Sequence, residues 1–280
     1  MKKLFKGIFI SGTLLLASCA YSQTHQLVKI WETDSILKVP ESVLYHAGTN
    51  ALYVSNIDGK PSEKDSRGSI AKVSVDGKKV DNNWATNLSA PKGMAISKNV
   101  LYVSDVDEVV SIDLNSGKIL HRVPVEGAKF LNDVTVDNRG IVYVSDSGTG
   151  MIHRMENGKV STYLDKQMGV NGLLSIGDDL YILAKGDLWK ADKAKKLAKI
   201  ASGMEGSTDG IEQTSNKDFV VSSWNGVIYY VKADGTKEEL LNTSADKISS
   251  ADIGFDAKNN IVYVPTFFGN RVVAYQLKKL

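Results

Sequence analysis

A chain of 280 residues with 42% hydrophobic side chains is long enough for one large domain with a substantial core. Its formal net charge is only +2, no basic block is longer than Lys195-Lys196, and no arginine and aromatic stripe occurs, which argues against nucleic acid as a partner.

The first element in chain order is a targeting segment. Met1-Lys2-Lys3 and Lys6 give a short basic region, and the apolar run IFISGTLLLA behind it is too short for a membrane-spanning helix. It ends in Leu16-Ala17-Ser18-Cys19, which looks like a bacterial lipobox, in which the cysteine becomes the acylated first residue of the mature chain. Residues 1–19 are therefore expected to be an export signal. The expected product is lipid-anchored through Cys19 to a membrane facing the periplasm or cell surface, with no other membrane contact. Ordinary cleavage after Ala20 or Ser22 is the alternative and also exports the chain. Cys19 is the only cysteine, so no internal disulfide is available and stability must come from packing.

Beyond residue 25 the chain repeats itself. LYVSN at 52–56 returns as LYVSD at 101–105 and VYVSD at 142–146, with looser copies LYILA, FVVSS and VYVPT at 180–184, 219–223 and 262–266. Each is a short apolar, β-branched run with turn residues behind it, the pattern of a buried strand. A second apolar segment precedes every copy: ESVLY, KGMAI, NDVTV, NGLLS, DGIEQ and ADIGF, starting at Glu41, Lys92, Asn132, Asn171, Asp209 and Ala251. The starts are 51, 40, 39, 38 and 42 residues apart, close to the span of a four-stranded propeller blade. Two further strand-like pieces complete a unit, as EVVSIDL and KILHRVPV do in the second. Asn115-Ser116-Gly117, Asn157-Gly158 and Asp234-Gly235 mark hairpin turns between such pieces. Only a weak stretch at 190–199 has helical spacing.

The expected fold is all-β, a six-bladed β-propeller over residues 25–280. The sixth unit has residues for only three strands, and HQLVKIWET at 25–33 is a spare strand that completes it and closes the ring.

The first strand of each blade lines the central channel. Its first position reads Glu41, Lys92, Asn132, Asn171, Asp209, Ala251 around the ring. Four oxygen-bearing side chains converging from different blades suit Ca²⁺ or another hard divalent cation, and the absence of His and Cys from the column disfavours zinc. Singly, each has a simpler reading: Asn and Asp cap turns, and Asn171-Gly172 and Asp209-Gly210 look like turn dipeptides. One shared register favours a site. Asp133, beside Asn132, is outside the column and either caps the strand or supports the site from behind.

The column and the sixfold repeat resemble the senescence marker protein, gluconolactonase and luciferin-regenerating-enzyme family over residues 35–275. The resemblance extends more distantly to paraoxonases, diisopropyl fluorophosphatases and strictosidine synthase-like propellers. It implies a catalytic divalent cation, usually Ca²⁺, held by Glu41, Asn132, Asn171 and Asp209, which stand in the motifs Pro40-Glu41-Ser42-Val43, Leu131-Asn132-Asp133-Val134, Val170-Asn171-Gly172-Leu173 and Thr208-Asp209-Gly210-Ile211. The first motif lacks the Gly-Pro that commonly follows the glutamate, and Lys92-Gly93-Met94 stands where paraoxonases carry a His-Gly. The four histidines, His25, His46, His121 and His153, fall outside the column, and no GxSxG occurs.

The implied activity is metal-dependent hydrolysis of a lactone or related ester, with Asp209 as general base and Lys92 stabilising the oxyanion. The plain alternative for Lys92 is a lysine snorkelling at the channel rim. Asn56, Asp105, Asp146, Lys185, Trp224 and Phe267, read as the residues after each second strand, are expected to form the rim. Of these Asp146, Trp224 and Phe267, together with Lys92, are expected to contact the substrate, although most of the aspartates suit turns. The polar insert GKPSEKDSRG at 59–68 lengthens the first unit and is placed to act as a lid or as a solvated loop. A non-catalytic propeller that recognises a glycan, peptide or protein partner through the same face is the competing reading.

Overall fold

The computed structural model describes residues 23–280, so Cys19 and the rest of the expected export signal lie outside the described residues. The chain starts with β1 (His25–Glu32) and then builds its first blade from β2 (Pro40–His46), β3 (Ala51–Asn56), β4 (Gly68–Ser74) and β5 (Val80–Leu88). The second is β6 (Pro91–Ser97), β7 (Val100–Asp105), β8 (Glu108–Asp113) and β9 (Ile119–Pro124). The third is β10 (Leu131–Val136), β11 (Val142–Asp146), β12 (Met151–Glu156) and β13 (Lys159–Leu164). The fourth is β14 (Val170–Ile176), β15 (Asp179–Ala184), β16 (Asp187–Ala191) and β17 (Leu197–Ala201). The fifth is β18 (Thr208–Gln213), β19 (Phe219–Ser223), β20 (Val227–Val231) and β21 (Lys237–Asn242). The last strands are β22 (Gly254–Asp256), β23 (Ile261–Pro265) and β24 (Val272–Lys279).

These strands form six four-stranded antiparallel sheets, the sixth ordered β1-β24-β23-β22. The protein is a six-bladed β-propeller. As the repeat predicts, β1 supplies the outer strand of the last blade, pairing from His25↔Lys279 to Glu32↔Val273. Six apolar clusters hold the ring together, each shared by two adjacent blades; Tyr53, Ile70 and Leu88 of the first blade, for instance, meet Leu101, Val103 and Ile112 of the second. A blade alone would expose both faces, so the cores exist only once blades stand side by side.

Two details differ from the sequence expectation. The stretch 190–199 is not helical: it is the end of β16, a turn at Asp192 and the start of β17. The Asp192 carboxylate and carbonyl accept the amides of Lys196 and Lys195, at 2.8 and 2.7 Å, and hairpin pairing outweighs the local helical spacing. In the sixth unit the inner strand begins at Gly254, because Asp252 is drawn sideways onto the first blade. Asp252 N donates to Glu41 O at 2.9 Å and Val43 N donates to Asp252 O at 3.1 Å, closing the innermost ring.

The latch has a chemical clip as well as a ladder. Glu238 of β21 accepts hydrogen bonds from Thr24 N, Thr24 Oγ1, His25 N and His25 Nδ1 at 2.6, 2.7, 3.1 and 2.8 Å. The imidazole stacks on Tyr230 with centroids 3.8 Å apart, so the N-terminal strand is fastened to the fifth blade as well as the sixth.

Candidate functional site

The inner strands are not regular. In the first five blades the ladder between the first and second strands breaks at the column position: between Pro40 and Ser42, Pro91 and Met94, Leu131 and Val134, Val170 and Leu173, and Thr208 and Ile211. A bulge frees a strand residue from its ladder and re-aims its side chain, which turns Glu41, Lys92, Asn132, Asn171 and Asp209 toward one end of the channel. The backbone amides released there need partners. The serine of the repeated second strand provides one: Ser55, Ser145 and Ser222 each accept, at 2.9 Å, from the amide of the residue after the column, Ser42, Asp133 and Gly210 respectively. Asn171-Gly172 and Asp209-Gly210 are therefore strand residues rather than turns. Gly172 and Gly210 are needed for close approach, since a Cβ on Gly172 would lie 2.1 Å from Asp209 O and one on Gly210 2.5 Å from Asp252 Oδ1.

The last residue of the repeated segment has a separate task. Asp105 accepts from the amides of Ser89 and Ala90 at 2.9 and 2.7 Å, Asp146 from those of Lys129 and Phe130 at 3.0 and 2.9 Å, and Asn56 from Lys38 N at 3.2 Å. Each caps the loop that leads into its own blade. Asp146 has no exposed surface and does not line the cavity, so its carboxylate is spent on backbone and it makes no substrate wall. The rim comes from the residue one position later. In true register that position is Ile57, Val106, Ser147, Lys185, Trp224 and Phe267, and Ile57, Ser147, Trp224 and Phe267 line the cavity. The rim expected at Asn56, Asp105 and Asp146 is thus displaced by one residue, whereas Trp224 and Phe267 stand where the sequence predicts them.

The cavity has a volume of about 420 Å³, and its lining includes Glu41, Lys92, Asn132, Asn171 and Asp209 together. All five column residues of the first five blades thus meet in one pocket. Asn171 Nδ2 donates to Asp209 Oδ1 at 2.9 Å, and Asn132 Nδ2 donates to Ser147 Oγ at 3.3 Å. Ala251, the sixth column residue, is buried against Ile57, Ala90, Val106 and Phe267 beneath the rim. Gly59 and Pro61 bring the first-blade insert to the mouth, where Lys64 pairs with Asp107 of the second blade at 2.6 Å.

Lys92 is 1% exposed, so the snorkelling reading fails: its Nζ donates to Ala90 O at 2.9 Å and lies 4.6 Å from the Phe130 ring centre. Burial pushes its pKa down, opposed by Glu41 and Asp105. Burial and the Asp209 and Asp252 charges push the Glu41 carboxyl well above the usual range, with Lys92 pulling the other way. Burial and Asp252 likewise raise Asp209 against the Asn171 hydrogen bond.

Behind these groups the channel continues as a second cavity of about 210 Å³ lined in part by Asp133, Glu212 and Asp252. Burial lifts Asp252 to about 7, against its hydrogen bond from Ser42. Burial and the Asp252 charge lift Glu212 to about 8. Asp133 settles its own alternative by joining two blades, accepting Val134 N at 2.6 Å and Leu173 N of β14 at 2.5 Å.

The donor set fits a hard cation. Five carboxyl groups and one ammonium share the axis, and two buried oxygens of the predicted ligand set, Glu41 Oε2 and Asn171 Oδ1, have no hydrogen-bond partner in the protein. Two carboxylates and two amide carbonyls are oxygen ligands of the Ca²⁺ type. Among the described residues no cluster of three or more His, Cys, Asp or Glu is arranged for a metal, as expected of a site whose other two members are asparagines. No histidine lines the cavity, which leaves carboxylates as its proton acceptors.

Comparison with known proteins places the fold. The chain matches no family model and no curated protein sequence. Among solved structures, a gluconolactonase from Xanthomonas campestris superposes with a TM-score of 0.68 at 16% identity, covering 87% of this chain and 88% of that one. A streptogramin B lyase superposes with a TM-score of 0.66 at 11% identity, over 91% of this chain and 98% of the other. A chain of a nidogen/laminin complex gives 0.64 at 14% identity over 78% and 84%. At such identities the likeness is one of fold.

Proposed function

We propose that the protein is an exported, metal-dependent hydrolase of lactones or related esters, akin to the gluconolactonase-type propellers that the column motifs resemble. The observation that carries this reading is the pair of buried, unpartnered oxygens on Glu41 and Asn171 in a pocket already crowded with carboxyl groups. An oxygen set of this kind has no use in a scaffold and is costly to bury without a cation. The gluconolactonase among the similar structures supports the class of activity.

Glu41, Asn132, Asn171 and Asp209 would hold a Ca²⁺-type ion. Bound there, the ion supplies Lewis acidity toward an ester carbonyl. Asp209, steered by the Asn171 amide, is the group to accept a proton from water, and burial makes its carboxylate more basic than a surface one. Lys92 spends one N–H on Ala90 O, leaving donors for oxyanion charge at the floor of the cavity. Phe130 and the rim rings give the cavity an apolar wall beside these groups, where charge interactions are stronger than in bulk water.

The test is a panel of lactones and esters assayed after thorough chelation and again with added Ca²⁺. Hydrolysis that appears only with the cation supports the proposal, whereas hydrolysis unaffected by chelation overturns the metal mechanism. No hydrolysis under either condition would favour the binding-propeller reading. Export is tested separately by the mass of the mature N-terminus, which should show an acylated Cys19.

A further inference from the structure

The cavity lining has a polar part, the column residues with Ser147, Ser207 and Thr208, and an apolar part rich in aromatic rings. Each side-chain donor of the polar part has one bond within the protein: Lys92 on Ala90 O, Asn132 on Ser147, Asn171 on Asp209 and Ser147 on Val170 O at 2.6 Å, so the N–H groups left over lie on Lys92 and the two asparagines. The apolar lining is Ile57, Phe130, Val170, Trp224, Phe267 and Phe268. Sugar hydroxyls against that wall would lose water without gaining partners.

Three of these rings form a tight group. Phe267 and Phe268 meet edge to face at 4.8 Å, and Trp224 stands 5.6 Å from Phe267 and 6.4 Å from Phe268. Phe267 is held at φ +49°, a left-handed conformation that a phenylalanine adopts only when its surroundings impose it. Phe268 is 69% exposed, and the Trp224 side of the group also borders an outer cleft of about 590 Å³ shared by the same two residues, Trp224 and Phe268. The rings are therefore a ridge between the site and a second depression, the arrangement expected for a ligand that extends past the reacting centre.

We propose, building on the hydrolase reading, that the substrate carries an uncharged alkyl or aryl arm, which lies over the Trp224–Phe268 ridge while the ester or lactone group sits on the carboxylate and amide floor. Phe268 then sets specificity by covering the arm, and polyhydroxylated sugar lactones are poor substrates.

The experiment compares the γ-lactone series from γ-butyrolactone to γ-undecalactone with a polyhydroxylated aldonolactone, in the full protein with Ca²⁺. The kcat/KM should rise roughly two- to fourfold per methylene as the arm covers the ridge. Phe268→Ala should flatten that rise and Phe268→Leu should keep most of it, both with a wild-type melting temperature because the side chain is exposed. Calorimetric binding of γ-lactams with the same arms gives a second readout that needs no turnover. Preference for the aldonolactone, or an unchanged slope in Phe268→Ala, overturns the proposal. If no lactone is hydrolysed but long-arm lactams bind in a Phe268-dependent way, the arm site stands and the hydrolase reading falls. Hydrolysis with no dependence on the arm has the opposite meaning: the hydrolase reading stands and the arm site falls.

Discussion

Two carboxylate environments in this propeller, a partly buried one at the latch and a buried one on the axis, have opposite chemistry. At the latch, Glu238 accepts four hydrogen bonds from Thr24 and His25, and although burial works against ionisation these donors hold it down at about 2. On the axis, burial and neighbouring carboxylates push Glu41 and Asp209 up, and only Lys92 and the Asn171 amide oppose them. Glu205, beside the rim, behaves like Glu238: Ser207, Ser223 and Asn225 hold it at about 2 in spite of burial. A carboxylate saturated with donors is part of the scaffold. One left with acceptors to spare is arranged for something that arrives later.

Breaking the axial side of this contrast should have the largest effect. Asp209→Asn keeps the shape and removes the proposed base, so kcat should fall by about two to four orders of magnitude with KM within a few-fold of wild type. Steady-state kinetics on the best lactone decide it, and equal losses in binding and turnover would mark a carboxylate with no role in proton transfer. Removing the proposed cation comes next. At about 100 times its Kd a bound ion stabilises the fold by about 2.7 kcal/mol, so chelation should lower the melting temperature by roughly 5–10 °C for a domain of this size.

On the latch side, Glu238→Gln should cost about 1.5–3 kcal/mol, the range for hydrogen bonds to a charged group, and leave kcat unchanged. The two environments also predict opposite pH limbs in chelated protein. The Glu238 contribution is complete above its ordinary pKa of 4.5 and is lost as pH falls from there toward 2. Asp252 and Glu212 are raised to about 7 and 8, so the folded state holds protons that the unfolded chain has released, and stability falls as pH rises from about 4 to 8. Melting curves across pH should therefore peak where the two windows meet, at about pH 4 to 5, Glu238→Gln should weaken the acid limb, and Ca²⁺ should flatten the alkaline one. The smallest effect concerns the bulges: Ser145→Ala strands the Asp133 amide and should destabilise by about 1 kcal/mol or slightly more in denaturant titration.

The repeat makes the architecture readable because a four-stranded blade imposes a period, and Tyr-Val-Ser recurs in the second strands of the first three blades. The column is readable for the same reason. Its five members meet in one cavity because the bulges fall at equivalent points in five blades. The rim is half readable. Asp146 and Trp224 look equivalent by eye, yet aligning VYVSD with FVVSS puts Asp146 opposite Ser223 and Ser147 opposite Trp224. A strict column-by-column alignment removes the one-residue slip, since side chains in a strand alternate faces and a single step changes a wall residue into a cap. The serine of each copy is also a visible signal, but its meaning depends on a bulge in the neighbouring strand.

By itself the amino-acid sequence determined the number of blades, the spare strand that closes the ring and the identity of the axial residues, all of which follow from local strand propensity repeated at a nearly constant spacing. Tertiary structure alone decided which carboxylates are saturated and which are not. Glu238 meets Thr24 and His25 across 214 and 213 residues of chain, and Glu41 faces Asp209 only when the ring is shut. Donor count and burial are properties of the closed ring, so the chemical difference between latch and axis arises at closure.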